Sequence, residues 1–465
     1  MLRQFIEIRS LSSQPPPVAR PLRLHLGLTR QAWLALLCLT LLGYAVLGRG
    51  FAYLGFPPIY IGELTLLLGL LWLVTGAQWK PLDTAPMWLL LALAAWGMLR
   101  TWPYVSEYGI DALRDAAIWG YSAFAIIIYY YIRARPATLL TLLNRYRYFT
   151  WIFLTAIPLV WIARYIFVGV MPRWPWSDVP IIDAKAGDIL VHLCGILAFC
   201  VAGFDNPVRL PRIILLAACA AVIGSYERAG LVALGGCFLI CLFLKPTHPL
   251  LHRLLAVGVA GLLFLAVSGI NFEVPSPDTG KARVVSFDDM LANFVSIVSD
   301  TDVSDLDETK QWRLEWWSII FEYTFKGPYL WTGKGFGVNL ADDDGFQVWA
   351  DHSLRSPHNG HLTMLARAGV PGLALWIVVQ LSFACSLIRA YRRSCHAADS
   401  RWSALFLFLL VYWFAFMTNA AFDVFIEGPM GGIWFWTIYG IGLASVWLYK
   451  HSPEVLRDAP SLHHY

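Results

Sequence analysis

Two short stretches place reactive side chains at the edges of apolar runs. The first, RSPHNGHL from Arg355, sets His358, Asn359 and His361 at the start of a long apolar segment. An imidazole exchanges protons near neutral pH, so His358 suits a general base acting on a hydroxyl. A histidine that simply meets water at a helix start is the plain alternative. The second stretch, SYERAG, puts Glu227 and Arg228 between two apolar segments. Ionisable residues at or within a membrane are uncommon and tend to mark function. The alternative is an arginine that pairs with Glu227 or reaches lipid headgroups.

A third candidate is Arg313 in TKQWRLEWWSIIFEYTF. A guanidinium recognises phosphate through two parallel hydrogen bonds, and at a membrane surface it can grip a lipid phosphate. A solvated arginine on the polar face of that helix is the alternative. Lys334, Arg355 and Arg367 are weaker cations of the same kind. Arg114 and Asp115, in IDALRDAAIWGY, and Glu63 are candidates to line an outward cavity, with structural ion pairs as the alternative.

Asp351, His352, His358 and His361 cluster in the chain, but no HExxH motif is present and the ligand spacing fits zinc poorly. No metal and no cofactor is expected. GKGFG lacks the Lys-Ser/Thr of a phosphate loop, and the acids 342–344 read as a solvated loop. Seven of the eight cysteines lie in apolar segments, so no disulfide framework is implied.

The elements that must position these groups are membrane helices. The chain has 465 residues, of which 58% are hydrophobic and 14% charged. Soluble domains carry roughly a quarter charged residues. Apolar runs long enough to cross a bilayer recur at 30–48, 59–77, 85–102, 112–131, 148–168, 187–205, 211–226, 229–245, 253–271, 361–387, 402–420 and 429–449. The expected fold is an all-α integral membrane protein, a bundle of about twelve transmembrane helices. The pair 211–226 and 229–245 reads either as one broken helix or as a tight hairpin.

Lys and Arg in the short loops set the orientation. Arg20, Arg23, Arg30, Arg133, Arg135, Arg145, Arg147, Arg389, Arg392, Arg393 and Arg401 fall on one side if the count is twelve. The expected organisation is a cytoplasmic tail (1–28), nine helices (29–271), one large periplasmic loop (272–358), three helices (359–450) and a cytoplasmic tail (451–465). The loop is acidic and carries a Trp-rich helix; Trp312, Trp316, Ile319, Ile320 and Tyr323 recur at helical spacing, which predicts a short helix lying on the membrane surface. The net charge of +4 gives no sign of a nucleic-acid partner.

The S-x-x-R-x-G setting of Arg228, the large loop, and His358-Asn359 followed after nine residues by Gly369-x-x-Gly372 together resemble the O-antigen ligase and Wzy-type polymerase superfamily, membrane glycosyltransferases of the GT-C type. RLEWW followed by PYLWTGKGFG is similar to the family's loop. The resemblance implies glycan transfer from an undecaprenyl-diphosphate carrier to a hydroxyl of a glycan, lipid A–core or protein acceptor, without a metal, at the periplasmic face of a bacterial inner membrane. It implies that His358 is the base and that Arg228 and Arg313 stabilise the diphosphate, with inversion at the anomeric carbon. Asn359, His361, Arg114, Lys334, Arg355 and Glu63 are the expected substrate-binding residues. A transporter or flippase of envelope precursors is the competing class. It predicts related halves and polar groups near the midplane, whereas the polar residues here gather at one face and no internal repeat is visible. A transferase using a polyprenyl-phosphate sugar predicts an acidic motif in the first outer loop, and GRGFAYLGFPPIYIG has no acid before Glu63. A structural subunit of an envelope complex would need no local motif.

Overall fold

In hydrocarbon every backbone N–H and C=O must be satisfied within the segment, so long apolar runs become helices. The computed structural model describes residues 21–76, 84–167, 169–205, 209–224, 226–268, 272–275, 282–285 and 304–458. It is about 77% helical. Among the described residues, five helices are long and apolar enough to cross a membrane: Thr138–Arg164, Pro249–Ser268, Gly360–His396, Ser400–Ala420 and Pro429–His451. Gln31–Leu47, Ile61–Gly76, Ala186–Val201, Leu210–Gly224 and Arg228–Leu244 are shorter apolar helices. The open question over 211–245 resolves into two separate helices. The run 112–131 is not one rod: it divides into Ile110–Asp115, Ala117–Gly120 and Ser122–Ala134.

The helix Gly360–His396, the kinked helix, begins beside His358 and anchors the loop that carries Arg313. Asn359 caps it, its side chain accepting from the backbone N–H of His361 and Leu362 at 3.0 and 3.1 Å. Gly369 breaks it, with φ +68° and ψ −173°. A Cβ there would lie 2.8 Å from the Leu330 carbonyl oxygen, so only glycine fits both the backbone and the space. Pro371 supplies no N–H, which leaves the Arg367 carbonyl without its helical donor. The GKGFG loop fills that gap. Lys334 N–H donates to the Ala366 carbonyl at 2.7 Å, Gly335 N–H to the Arg367 carbonyl at 2.9 Å, and Trp96 Nε1 to the Ala368 carbonyl at 2.9 Å.

Above the kink lies a second, smaller core of Trp316, Ile320, Leu340, Ala341, Leu354, Leu365 and Ala366. It corrects the reading of the Trp-rich segment. Ser304–Phe325 is a helix, the loop helix. Trp316 and Ile320, however, are fully buried against the kinked helix rather than turned to lipid. Leu314, Ile319, Phe321 and Phe325 are its large exposed apolar residues.

One buried carboxylate ties this core to the first half of the chain. Asp115 receives Arg355 Nε at 3.0 Å, Arg355 Nη2 at 2.8 Å and Gly337 N–H at 3.1 Å. Arg367, 1% exposed, pairs with the same carboxylate at 2.9 Å. Removing one partner of such a buried pair strands the other charge, at a cost of roughly 3–5 kcal/mol. Asp115→Ala is therefore expected to lower the thermal unfolding midpoint of the detergent-solubilised protein sharply. An unchanged midpoint would mean that Arg367 finds another acceptor.

Candidate active site

The connection after Ser400–Ala420 brings two of the sequence candidates, Arg313 and His358, together. Its Phe422 carbonyl accepts from Arg313 Nη1 at 3.1 Å, and its Asp423 carboxylate lies 3.8 Å from His358 Nδ1. Asp423 is 5% exposed and accepts from the Val424 N–H at 2.8 Å. Burial pushes its carboxyl upward, but Lys185 and then His358 outweigh that, and it is held well below the usual carboxylate range. Asp423 is thus a fixed negative charge facing the histidine.

His358 is held from both sides. It has φ +53°, a left-handed backbone that is unusual for a residue with a side chain. Asn359 begins the kinked helix directly after it, and the preceding Pro357 carbonyl accepts from Trp317 Nε1 at 2.9 Å. The ring of Trp312 stands edge-on at 6.3 Å. With Nδ1 turned to Asp423, Nε2 is left to accept a proton. Arg313, on the same loop helix, spends Nη1 on Phe422, while its buried Nε has no partner among the described residues. A buried donor without a partner is costly in water-poor surroundings, and an anion would satisfy it.

Arg228 is half-buried and opens the helix Arg228–Leu244, directly after Glu227. The Glu227 carboxylate accepts from the Gly187 N–H at 2.7 Å. A Cβ on residue 187 would sit 2.7 Å from that carboxylate, so glycine permits the close approach. Burial, with Asp423 adding to it, pushes Glu227 up to about 7, against the Gly187 hydrogen bond, Lys185 and Arg313. A carboxyl raised on folding favours the folded state at low pH, and that contribution is lost as pH rises from the ordinary glutamate range to about 7. Glu227→Gln removes the ionisation and can still accept from Gly187. Its unfolding midpoint relative to the parent is expected to be higher at pH 8 than at pH 5; the reverse ordering would contradict this reading.

Residues 213–377 match the model of the Wzy_C family, described as O-antigen ligase. The chain carries an O-antigen ligase domain. The match indicates a membrane glycosyltransferase of the ligase/polymerase type, a class whose substrates are glycans and lipid-linked. A comparison with curated proteins returns no match. The Wzy_C stretch contains Glu227, Arg228, Arg313, His358 and the kink. Lys185, Asp188 and Asp423 interact electrostatically with this corner from outside it.

The other sequence candidates of the O-antigen ligase domain and its flanks have different surroundings. His361 accepts from Trp376 Nε1 at 3.0 Å and faces the Met417 carbonyl at 3.1 Å. Asn359 is the helix cap. Lys334 pairs with Asp343 at 2.5 Å and with Asp344, and lies over the Tyr323 ring at 4.1 Å. Arg355 is fixed on Asp115. Arg114 is exposed beside Asp111 at 4.0 Å. Glu63 accepts from the Tyr121 hydroxyl at 2.7 Å and the Tyr60 N–H at 3.2 Å. His352 meets Asp342 at 2.7 Å, so the clustered histidines 352, 358 and 361 face three different partners. Asp423 and Lys185 escaped the sequence reading. The signal for Asp423 was an acid between two apolar spans in NAAFDVFIEG; Lys185 stood two residues before such a span.

Proposed function

We propose that the chain transfers a glycan from an undecaprenyl-diphosphate carrier to an acceptor hydroxyl, as a polysaccharide polymerase or O-antigen ligase, with inversion. The observation that carries this is the His358–Asp423 pair at 3.8 Å beside Arg313, whose guanidinium keeps an unpartnered buried donor. In the reaction, the acceptor oxygen attacks the anomeric carbon and its proton passes to His358 Nε2. The bond from the anomeric carbon to the diphosphate oxygen breaks, and the diphosphate leaves with the electron pair. Asp423 stabilises the imidazolium that forms, a role that needs a permanently ionised carboxylate. Arg313 and Arg228 offset the charge growing on the leaving group.

The site sits at the mouth of the helices, where a polyprenyl tail can lie against apolar spans while its head reaches polar surroundings. Counting twelve crossings puts the basic loops and both termini in the cytosol and this corner at the periplasmic face of the inner membrane. The acidic loop 272–358 favours a polymerase over a ligase, because acceptor recognition falls to it. Deleting the gene and examining both lipopolysaccharide and secreted polysaccharide separates the two. Loss of core-linked glycan alone identifies a ligase, and shortening of chains to single repeat units identifies a polymerase. An unchanged glycan profile would overturn the proposal.

A further inference from the structure

The segment Asp183–Gly187 is pinned at both ends. Asp183 pairs with Arg164 at 3.1 Å, its carbonyl accepts from the Arg49 N–H at 2.9 Å, and its own N–H donates to the Leu47 carbonyl at 2.9 Å. At the other end, Gly187 N–H holds Glu227. Between these anchors stands Lys185, directly before the helix Ala186–Val201. Its ammonium is kept protonated by Asp423 first, against burial, with Asp188 and Glu227 adding to the effect. Yet it makes no hydrogen bond or close ion pair among the described residues, and part of its surface stays accessible. The buried Asp188 Oδ1 is likewise without a hydrogen-bond partner among the described residues.

A lysine on a rigid backbone, charged by acids behind it but bonded to none, is set to meet an anion. The same acids place it next to the residues of the transfer site, because Asp423 faces His358 and Glu227 adjoins Arg228. We infer that Lys185 is a third cation of the donor site and contacts the diphosphate of the lipid-linked glycan. This rests on the proposed glycan transfer. A compact ammonium binds phosphate as a point charge, complementing the forked guanidiniums of Arg228 and Arg313. Glu227, protonated in part near neutral pH, reduces the repulsion that the acids would otherwise exert on the donor.

The test uses the full chain in nanodiscs with undecaprenyl diphosphate and undecaprenyl monophosphate as probes. Lys185→Met is expected to weaken diphosphate binding by about tenfold or more, the scale of a lost charge-assisted hydrogen bond. The effect on the monophosphate should be smaller, and Lys185→Arg should restore most of the loss. If Lys185→Met does not fold, Lys185→Gln is read in its place. A folded charge-neutral variant that binds undecaprenyl diphosphate as tightly as the parent overturns the inference, since a residue that only neutralises nearby acids would change the unfolding midpoint and leave affinity alone. His358→Ala keeps the two ideas apart. Should the parent chain itself transfer no glycan from the diphosphate carrier, the transfer reading fails; should His358→Ala transfer it as fast as the parent, His358 is not the base. Should that variant be inactive while Lys185→Met binds normally, only the lysine assignment is lost.

Discussion

His358→Ala is expected to lower glycan transfer by roughly 10²–10⁴-fold, the usual contribution of a positioned general base, with donor binding little changed. The expectation rests on geometry. His358 is held in a left-handed backbone with Nδ1 toward Asp423, so its second nitrogen is presented rather than consumed. Asp423→Asn should give a smaller loss in the same direction, because an amide neither fixes the imidazole tautomer nor stabilises the imidazolium. Steady-state rates at saturating donor, with folding checked by unfolding midpoints, measure both. A His358→Ala protein that turns over like the parent would remove the base from the mechanism.

The second large effect is expected at Arg313. Its truncation to alanine takes away a charge that grows in value as the leaving group departs. Losses of roughly 10²–10³ are typical when a preorganised donor of this kind is removed. Arg313→Lys keeps the charge but not the fork, and should recover only part of the rate. Arg228→Ala is expected to act in the same sense. Comparing turnover with donor KM separates the roles: loss confined to KM would mean that the arginines only bind, whereas loss in turnover means that they act in the transition state.

The helical class was legible because it leaves local marks. Apolar runs of bilayer length announce helices; that Asn359 caps one of them and Gly369 breaks it came from the structure. The structure adds why the break is there: it frees carbonyls that the GKGFG loop occupies. What the sequence hid is what tertiary contact decides. Asp423 and Lys185 stand more than two hundred residues apart, and no spacing rule links them. The periodicity of Trp312, Trp316 and Ile320 marks a buried face equally well whether protein or lipid covers it, and here protein covers Trp316 and Ile320. Lys334, Arg355 and Glu63 are charges beside apolar runs, the pattern that marks a site residue. A charge in that position also serves as a structural tie, and each of these has an acid or hydrogen-bonding partner of its own.

The most direct measurement is the anomeric configuration of the linkage made by the purified, reconstituted chain, taken together with the carrier product. One undecaprenyl diphosphate is expected to be released per bond formed, with a linkage opposite in configuration to the donor. Retention of the donor's configuration, or transfer without release of the diphosphate carrier, would contradict that expectation.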